Sequence, residues 1–383
     1  MLDNLKPAAR VEAPNGFRPG VQFDGAEGVA TTPGYLSEPQ NFDEFLIEAG
    51  YDPAGIEVIQ PMRTSRWQRY DGEWLTSYRF HFRTKTGVNV DLPTLFAEAK
   101  KTKVRKHPVS NEDKALVIVP ADWQVGKKGS RGGTKELLSR LMASFDGIEA
   151  KLKAGKYGRI VIIDAGDIIE SVSNKASLDQ LATNDLSPMQ QVDAAAALMW
   201  ELIKRASKYA PVVYGSVASN HCQNRVNGQA VGKPGLDDWG IVILQQLKRL
   251  SDEVGLDVKF LVPHPDDEGF CVDVFDDGFH VLGCWHGHQS SKPDQVPTFW
   301  KNQTFGNQYL TAASIAVTGH FHHTRVQEIG QHSNGGSRWW IQASTSDSGS
   351  DWFRRIAGED SGTGVTCFEL ERGRYFQGTV FRL

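Results

Sequence analysis

The rhythm of apolar and polar positions changes near residue 110. From there on, short and wholly apolar runs at 115–119, 159–163 and 211–214 alternate with stretches at 137–153, 190–208 and 239–254 that read as amphipathic helices. Continuous apolar strands separated by helices predict a sheet covered by helices, an α/β arrangement. After about 257 the apolar runs crowd together (258–262, 269–274, 280–284, 314–317, 339–343, 364–370 and 379–381), which predicts a second, more β-rich half. Upstream the pattern differs. Residues 1–40 hold five prolines and five glycines with little periodicity and predict an extended arm. A short helix is expected over 41–50, with Asn41 as cap, Glu44 three residues on and Gly50 at its end. Runs at 65–70 and 73–84 flank Asp71-Gly72 and predict a hairpin with a tight primed turn. On its second strand Trp74, Tyr78, Phe80 and Phe82 share one face, and Arg79, His81 and Arg83 the other. A further helix is expected over 93–101, then a polar linker over 110–113. The expected organisation is therefore an arm (1–40), a small basic α+β module (41–110) and a large α/β domain (114–383).

Composition narrows the class. The chain has 383 residues, 40% hydrophobic and 23% charged, as in ordinary globular proteins. No run approaches the roughly 18 apolar residues that span a bilayer, and the first residues lack the basic start and apolar core of a signal peptide. The four cysteines form no Cys-x-x-Cys pair and read as free thiols of a reducing compartment, so a cytoplasmic location is expected. No internal repeat is visible. The net charge of −4 is uneven: residues 56–110 hold eleven basic and five acidic side chains. That block, with Arg66, Arg69, Arg79 and Arg83, is a candidate contact for an anionic partner, against the alternative of a solvated face.

The chemistry lies where the apolar strands end. The first runs into Asp122-Trp123-Gln124, the second into Asp164-Ala165-Gly166-Asp167, and the third is followed by Asn220-His221. Later ones run into His286-Gly287-His288 and Gly319-His320-Phe321-His322. Ligands of open α/β sheets gather beyond the carboxyl ends of strands. Alternate residues of an extended segment face one way, so His320 and His322 can reach one spot, and His286 and His288 are alternatives for another. Mixed oxygen and imidazole donors suit manganese, iron or zinc rather than calcium. The basic, glycine-rich stretch 126–133, with Lys127, Lys128 and Arg131, departs from a nucleotide-binding loop and is a candidate lip against a phosphate backbone.

Taken in order, these motifs resemble the five motifs of the calcineurin-like metallophosphoesterases over residues 122–322. In wording they are nearest the SbcD-type DNA-repair nucleases and similar to phage-encoded phosphoesterases. The resemblance implies two stacked β-sheets flanked by helices in 114–383, and host cytoplasm if the chain is phage-encoded. It also implies two divalent ions, with manganese preferred and iron, zinc or magnesium as alternatives. Asp122, Gln124, Asp167 and His322 would hold the first; Asp167, Asn220, His286 and His320 the second. His221 would assist departure of the leaving group while a metal-bridging hydroxide attacks phosphorus. Two departures stand out: Gln124 occupies a position usually held by histidine, and Cys222 follows His221 in place of an acidic residue. A carboxamide binds these metals more weakly than imidazole, so Gln124→His is expected to tighten binding.

The implied activity is a DNA nuclease. A phosphatase or phosphodiesterase on protein or small esters, and a catalytically weak nucleic-acid-binding accessory protein, are the alternatives. DNA is the expected partner, an ATPase or a second copy of the chain are further candidates, and no membrane is expected. Glu170 is expected to be solvated at a helix start, Asp164 to be structural, and His264, His280, His323 and His332 to be ordinary histidines.

Overall fold

A computed structural model describes residues 18–23, 27–39, 41–53, 56–84, 111–171, 183–226, 229–347, 349, 354 and 362–383. The chain divides into two compact units, Met1–Gly87 and Val88–Leu383.

In the first unit, β1 (Gly20–Phe23), β2 (Glu27–Thr31), β3 (Ile56–Gln68) and β4 (Trp74–Thr84) form an antiparallel sheet in the order β1-β2-β4-β3, accompanied by helix α1 (Asp43–Glu48). Tyr78, Phe80 and Phe82 alternate inward along β4 and pack with Ala30, Leu46 and Ile56, as the hairpin pattern predicts. Trp74 instead lies half exposed beneath the Arg66 guanidinium. The unit is the expected α+β module, with three local differences. The stretch read as an arm supplies β1 and β2, which pair with each other and, through β2, with β4, and whose apolar alternation is too short to register as strands on its own. The hairpin closes through a longer loop, since Gln68 pairs with Trp74 and Arg69 N–H donates to Glu73 C=O. Asn41 accepts from Asp43 N–H at 3.2 Å but precedes Phe42, the residue at the N-cap. The helix expected over 93–101 lies outside the described residues, and residues 111–113, expected as linker, instead open the strand Asn111–Val119.

The second unit runs β5 (Asn111–Val119), α2 (Thr134–Ala154), β6 (Tyr157–Asp164), α3 (Pro188–Ala206), β7 (Val212–Ser216), a two-residue hairpin β8 (Arg225–Val226) and β9 (Gln229–Ala230), α4 (Trp239–Val254) and β10 (Val258–Leu261). It continues with β11 (Phe270–Asp273), β12 (Val281–Cys284), α5 (Val296–Phe305), β13 (Ile315–Thr318), β14 (Arg325–Gln331), β15 (Ser337–Gln342), β16 (Thr366–Glu371) and β17 (Phe381–Arg382). One six-stranded sheet has the order β10-β7-β6-β5-β16-β17, with β10, β7, β6 and β5 parallel. A five-stranded sheet has the order β11-β12-β13-β15-β14, with β12, β13 and β15 parallel.

Period-two alternation within the apolar strands explains the layers. Leu116, Ile118, Ile160 and Ile162 face outward, against Leu141 and Phe145 of α2, Leu202 of α3 and Leu244 of α4. Their neighbours Val117, Val119, Val161 and Ile163 face inward, onto Leu282, Ile315, Val317 and Ile341 of the other sheet. The outer face of that sheet, with Ala316 and Trp340, packs on Trp300 of α5. Two stacked sheets flanked by helices, the α/β architecture expected for this region, are thus both covered on each face. Helix ends follow local chemistry: Ser187 and Gln190 form a reciprocal cap ahead of Pro188 in α3, Asp238 caps α4, and left-handed Gly255 ends it. Among the described residues no helix is long and apolar enough to cross a membrane.

Candidate metal centre

Stacking brings the carboxyl ends of the two sets of parallel strands to one edge. The loop after β5 carries Asp122 and Gln124, that after β6 Asp167, and that after β7 Asn220 and His221. From the facing sheet, β12 leads to His286 and β13 to His320 and His322. Asp122 N–H donates to Gly166 C=O at 3.0 Å, joining two loops of one sheet. His320 N–H donates to both carboxylate oxygens of Asp122, at 2.9 and 3.1 Å, joining the two sheets.

Close approach of backbones explains two glycines. A Cβ on Gly166, which has φ +96°, would lie 2.6 Å from His286 Nδ1 and from Ser219 Cβ. One on Gly319 would lie 2.8 Å from an Asp122 oxygen. Five site residues themselves adopt left-handed backbone conformations: Asp122, Gln124, Asp167, His320 and His322, with φ from +46° to +73°. Such conformations cost about 1 kcal/mol or more each for non-glycine residues, and they concentrate where a chain is held for chemistry rather than for stability.

Asp167, His286 and His320 converge, with one potential ligand atom from each lying within 4.8 Å of the others. The His286 ring is fully buried; its Nδ1 donates to Ala165 C=O at 2.7 Å, which leaves Nε2 facing Asp167 Oδ2 at 2.9 Å. A ring held by one nitrogen with the other free is the arrangement metal-binding histidines use. Of the two histidines left open by the sequence, His286 supplies the ligand atom that converges with Asp167 and His320, while the neighbouring His288, with its ring centroid 5.5 Å from that of His286, turns Nε2 to 3.7 Å from Glu268. The Asn220 side-chain oxygen is buried without a hydrogen-bond partner, a donor atom left for an electrophile.

Electrostatics are strongly coupled. Burial would raise Asp167, but the neighbouring His286, His221 and His320 outweigh it and hold its carboxylate well below the usual range. Burial works against protonation of His286, yet Asp167 prevails and lifts it to about 9. Burial, with repulsion from His286, drops His320 to about 3, so its ring stays neutral. His322 is also pushed down, by burial and then by the Lys127 cation. Asp122 is raised to about 7, chiefly by burial.

His221 is oriented from two sides. Its Nδ1 donates to Glu170 C=O at 2.9 Å with the Glu170 carboxylate 3.4 Å away, and its backbone N–H donates to Asp167 Oδ1 at 2.9 Å. Burial lowers its pKa, but Asp167 and then Glu170 overcome that and raise it. Glu170 is therefore buried beside His221 rather than solvated. Asp164 accepts from Ser216 Oγ and Gly166 N–H, the structural role expected of it. His280 is likewise held internally, by Asp277 and Arg374 C=O.

The first-ion group is built differently. His322 Nε2 lies 3.6 Å from Asp122 Oδ1, and the Gln124 oxygen accepts from Lys127 Nζ at 2.6 Å. Lys127 also donates to Asp347 at 2.6 Å. Asp347 was not singled out from the sequence. The signal was there: the buried run Ser344-Thr345-Ser346-Asp347 follows β15, at the same strand edge as every other site residue. Thr345 ties this loop to the site by donating from Oγ1 to Asp122 C=O at 2.7 Å, and it accepts from Asp347 N–H.

Of the candidate anion-contact residues, Lys128 and Arg131 are exposed on the 126–133 turn. In the first unit Arg83 pairs with Glu57 at 2.8 Å and Arg69 with Asp71 at 2.7 Å, so part of the expected basic face is neutralised internally.

No protein-family profile and no curated protein matches the chain. Among solved structures, it is similar to the purple acid phosphatase PPD1 isolated from yellow lupin (Lupinus luteus) seeds, with 11% identity and a TM-score of 0.34 over 93% of this chain and 71% of that one.

Proposed function

We propose that the chain is a metal-dependent phosphoesterase, with DNA phosphodiesters as its favoured substrate class. The observation that carries this is the convergence of Asp167, His286 and His320 at the shared edge of both sheets, where the loop after β7 also carries Asn220 with its side-chain oxygen buried and unpartnered. The donor set fits a divalent transition metal: one anionic oxygen, one neutral oxygen and two imidazoles. A divalent ion bound there supplies Lewis acidity toward phosphoryl oxygens and lowers the pKa of water.

The chain's own residues supply the remainder. Asp167 orients His221 through its backbone and favours protonation of the ring. With Nδ1 committed to Glu170, His221 Nε2 is the ring nitrogen that would give a proton to a departing alkoxide once it turns from the Gln124 amide, which lies 3.5 Å away and can only donate. The surrounding burial limits water and strengthens each of these interactions. Preference for an extended polyanion rests on the exposed Lys128 and Arg131 beside the site, since phosphate contacts of this kind add affinity without reading sequence.

Purified protein with manganese should degrade labelled single- or double-stranded DNA, and Asp167→Asn should abolish that. Cleavage of a chromogenic phosphoester alone would redirect the reading to a small-ester phosphatase. DNA binding without any hydrolysis would redirect it to an accessory protein.

A further inference from the structure

The two halves of the centre differ in what they can accept. Asp167, His286 and His320 present ligand atoms within 4.8 Å of one another, and the Asn220 side-chain oxygen is buried without a hydrogen-bond partner. No second group of three His, Cys, Asp or Glu ligand atoms converges as closely among the described residues. In the first-ion half the carboxamide oxygen of Gln124 already has a cationic partner, the Lys127 ammonium at 2.6 Å. Both oxygens of Asp122 accept from His320 N–H. This half does not fit a divalent ion while Lys127 is in place.

Lys127 is not a surface side chain folded in by chance. Its N–H donates to Gln124 C=O at 3.0 Å, closing a turn over Val125 and Gly126 that brings the lysine back over the glutamine. Gly126 has φ +100°, and a Cβ there would strike the Gln191 side chain at 2.5 Å, so the turn needs glycine. Flanking hydrogen bonds from Lys128 N–H to Thr183 C=O and from Asp185 N–H to Gly126 C=O pin the turn. The ammonium end is held by Asp347 at 2.6 Å, and the pair is only 13% and 4% exposed. A buried ion pair this short costs desolvation on both sides, so retaining it beside a reaction centre calls for a role beyond stability.

On the reading of this site as a phosphoesterase, we infer that the Lys127 ammonium, positioned by Gln124 and Asp347, takes the place of one of the two divalent ions, leaving a single-ion centre. With two of its N–H groups donated to Gln124 and Asp347, the fixed ammonium supplies one positive charge and its remaining N–H toward a phosphoryl oxygen, without the open coordination positions of a metal. It also accounts for glutamine at position 124: a carboxamide oxygen accepts from an ammonium, whereas an imidazole holding a metal would not share its electron pair with one. Gln124 thereby turns its amide Nε2 toward His221 Nε2, 3.5 Å away.

The test is a count of ions on the full chain. Protein stripped with a chelator is titrated with Mn2+ by calorimetry, and its electron paramagnetic resonance spectrum is recorded at one and two equivalents. Wild type should bind one Mn2+ and give the six-line spectrum of an isolated ion, and His286→Ala should lose it. Lys127→Met, which keeps the apolar stem, should admit a second ion and show the broadened spectrum of a spin-coupled pair. Asp347→Asn should do so more weakly, at roughly tenfold or higher Mn2+ concentration. Two coupled ions in wild type, or a single ion in both Lys127→Met and Asp347→Asn with folding intact by circular dichroism, would overturn the inference and leave the phosphoesterase reading standing. Binding of no ion by wild type would overturn both.

Discussion

Single residues divide here into those that could touch a phosphoester and those that hold them. His221 belongs to the first group, and its removal should separate chemistry from metal binding. His221→Ala is expected to lower kcat on a manganese-supported diester assay by about 10²- to 10⁴-fold, the usual range for a proton donor, while Mn2+ affinity by calorimetry changes little. Gly166 belongs to the second group. Gly166→Ala places a methyl 2.6 Å from the His286 ring in a left-handed backbone. It should cost about 1–3 kcal/mol in denaturant unfolding and weaken metal binding together. At the residue scale the sequence marked positions rather than roles: Asp122, Asp167, Asn220, His286, His320 and His322 each follow an apolar strand. Asp347 follows one too, but its neighbours are serines and threonines, which read as an ordinary loop until burial is known. The partner of Lys127 was equally hidden, since the ion pair spans 220 positions of sequence.

At the scale of elements, the centre depends on how strand ends are tied to helices. Asp238 caps α4 through Gly240 N–H and Ile241 N–H, and its second oxygen accepts from Ser219 N–H at 3.0 Å. Ser219 Oγ in turn accepts from Asp167 N–H at 2.8 Å. A helix cap is thus two hydrogen bonds from the backbone of Asp167. Asp238→Ala should lose about 1–2 kcal/mol of stability from the cap and lower Mn2+ affinity about tenfold, whereas Asp238→Asn should keep most of both. Long elements were well marked: α4 spans the predicted 239–254, and the parallel strands fall within a few residues of expectation. Short ones were not. β1 pairs with β2 and β2 with β4, and four or five residues carry too little alternation to show it.

For the whole molecule, the decisive contact is between two sheets that meet through an apolar layer and share a polar edge. Ligand candidates come from both, so an ion bound at that edge ties β6 and β7 of one to β12 and β13 of the other. Binding that favours the folded chain adds stability in proportion to occupancy, about 2.7 kcal/mol at 100 times Kd. Thermal unfolding of the second unit should therefore fall on chelation and recover with added Mn2+, and His286→Ala should be insensitive to both. Which strands pair across the two sheets was beyond reach of the sequence, because β15 sits between β13 and β14 by a crossover that only tertiary packing reveals.

The left-handed backbone of Asp122, Gln124, Asp167, His320 and His322 has an evolutionary meaning as well as a mechanical one. At His322 the chain would gain by mutating away from its task, because glycine relieves the left-handed conformation, whereas at Asp122 and Asp167 the carboxylates also accept backbone N–H groups that glycine would leave unpaired. His322→Gly, measured in chelator, should unfold at a higher denaturant concentration than wild type even as it discards an imidazole. On the phosphoesterase reading, that gain in stability would come at the expense of an imidazole the site uses.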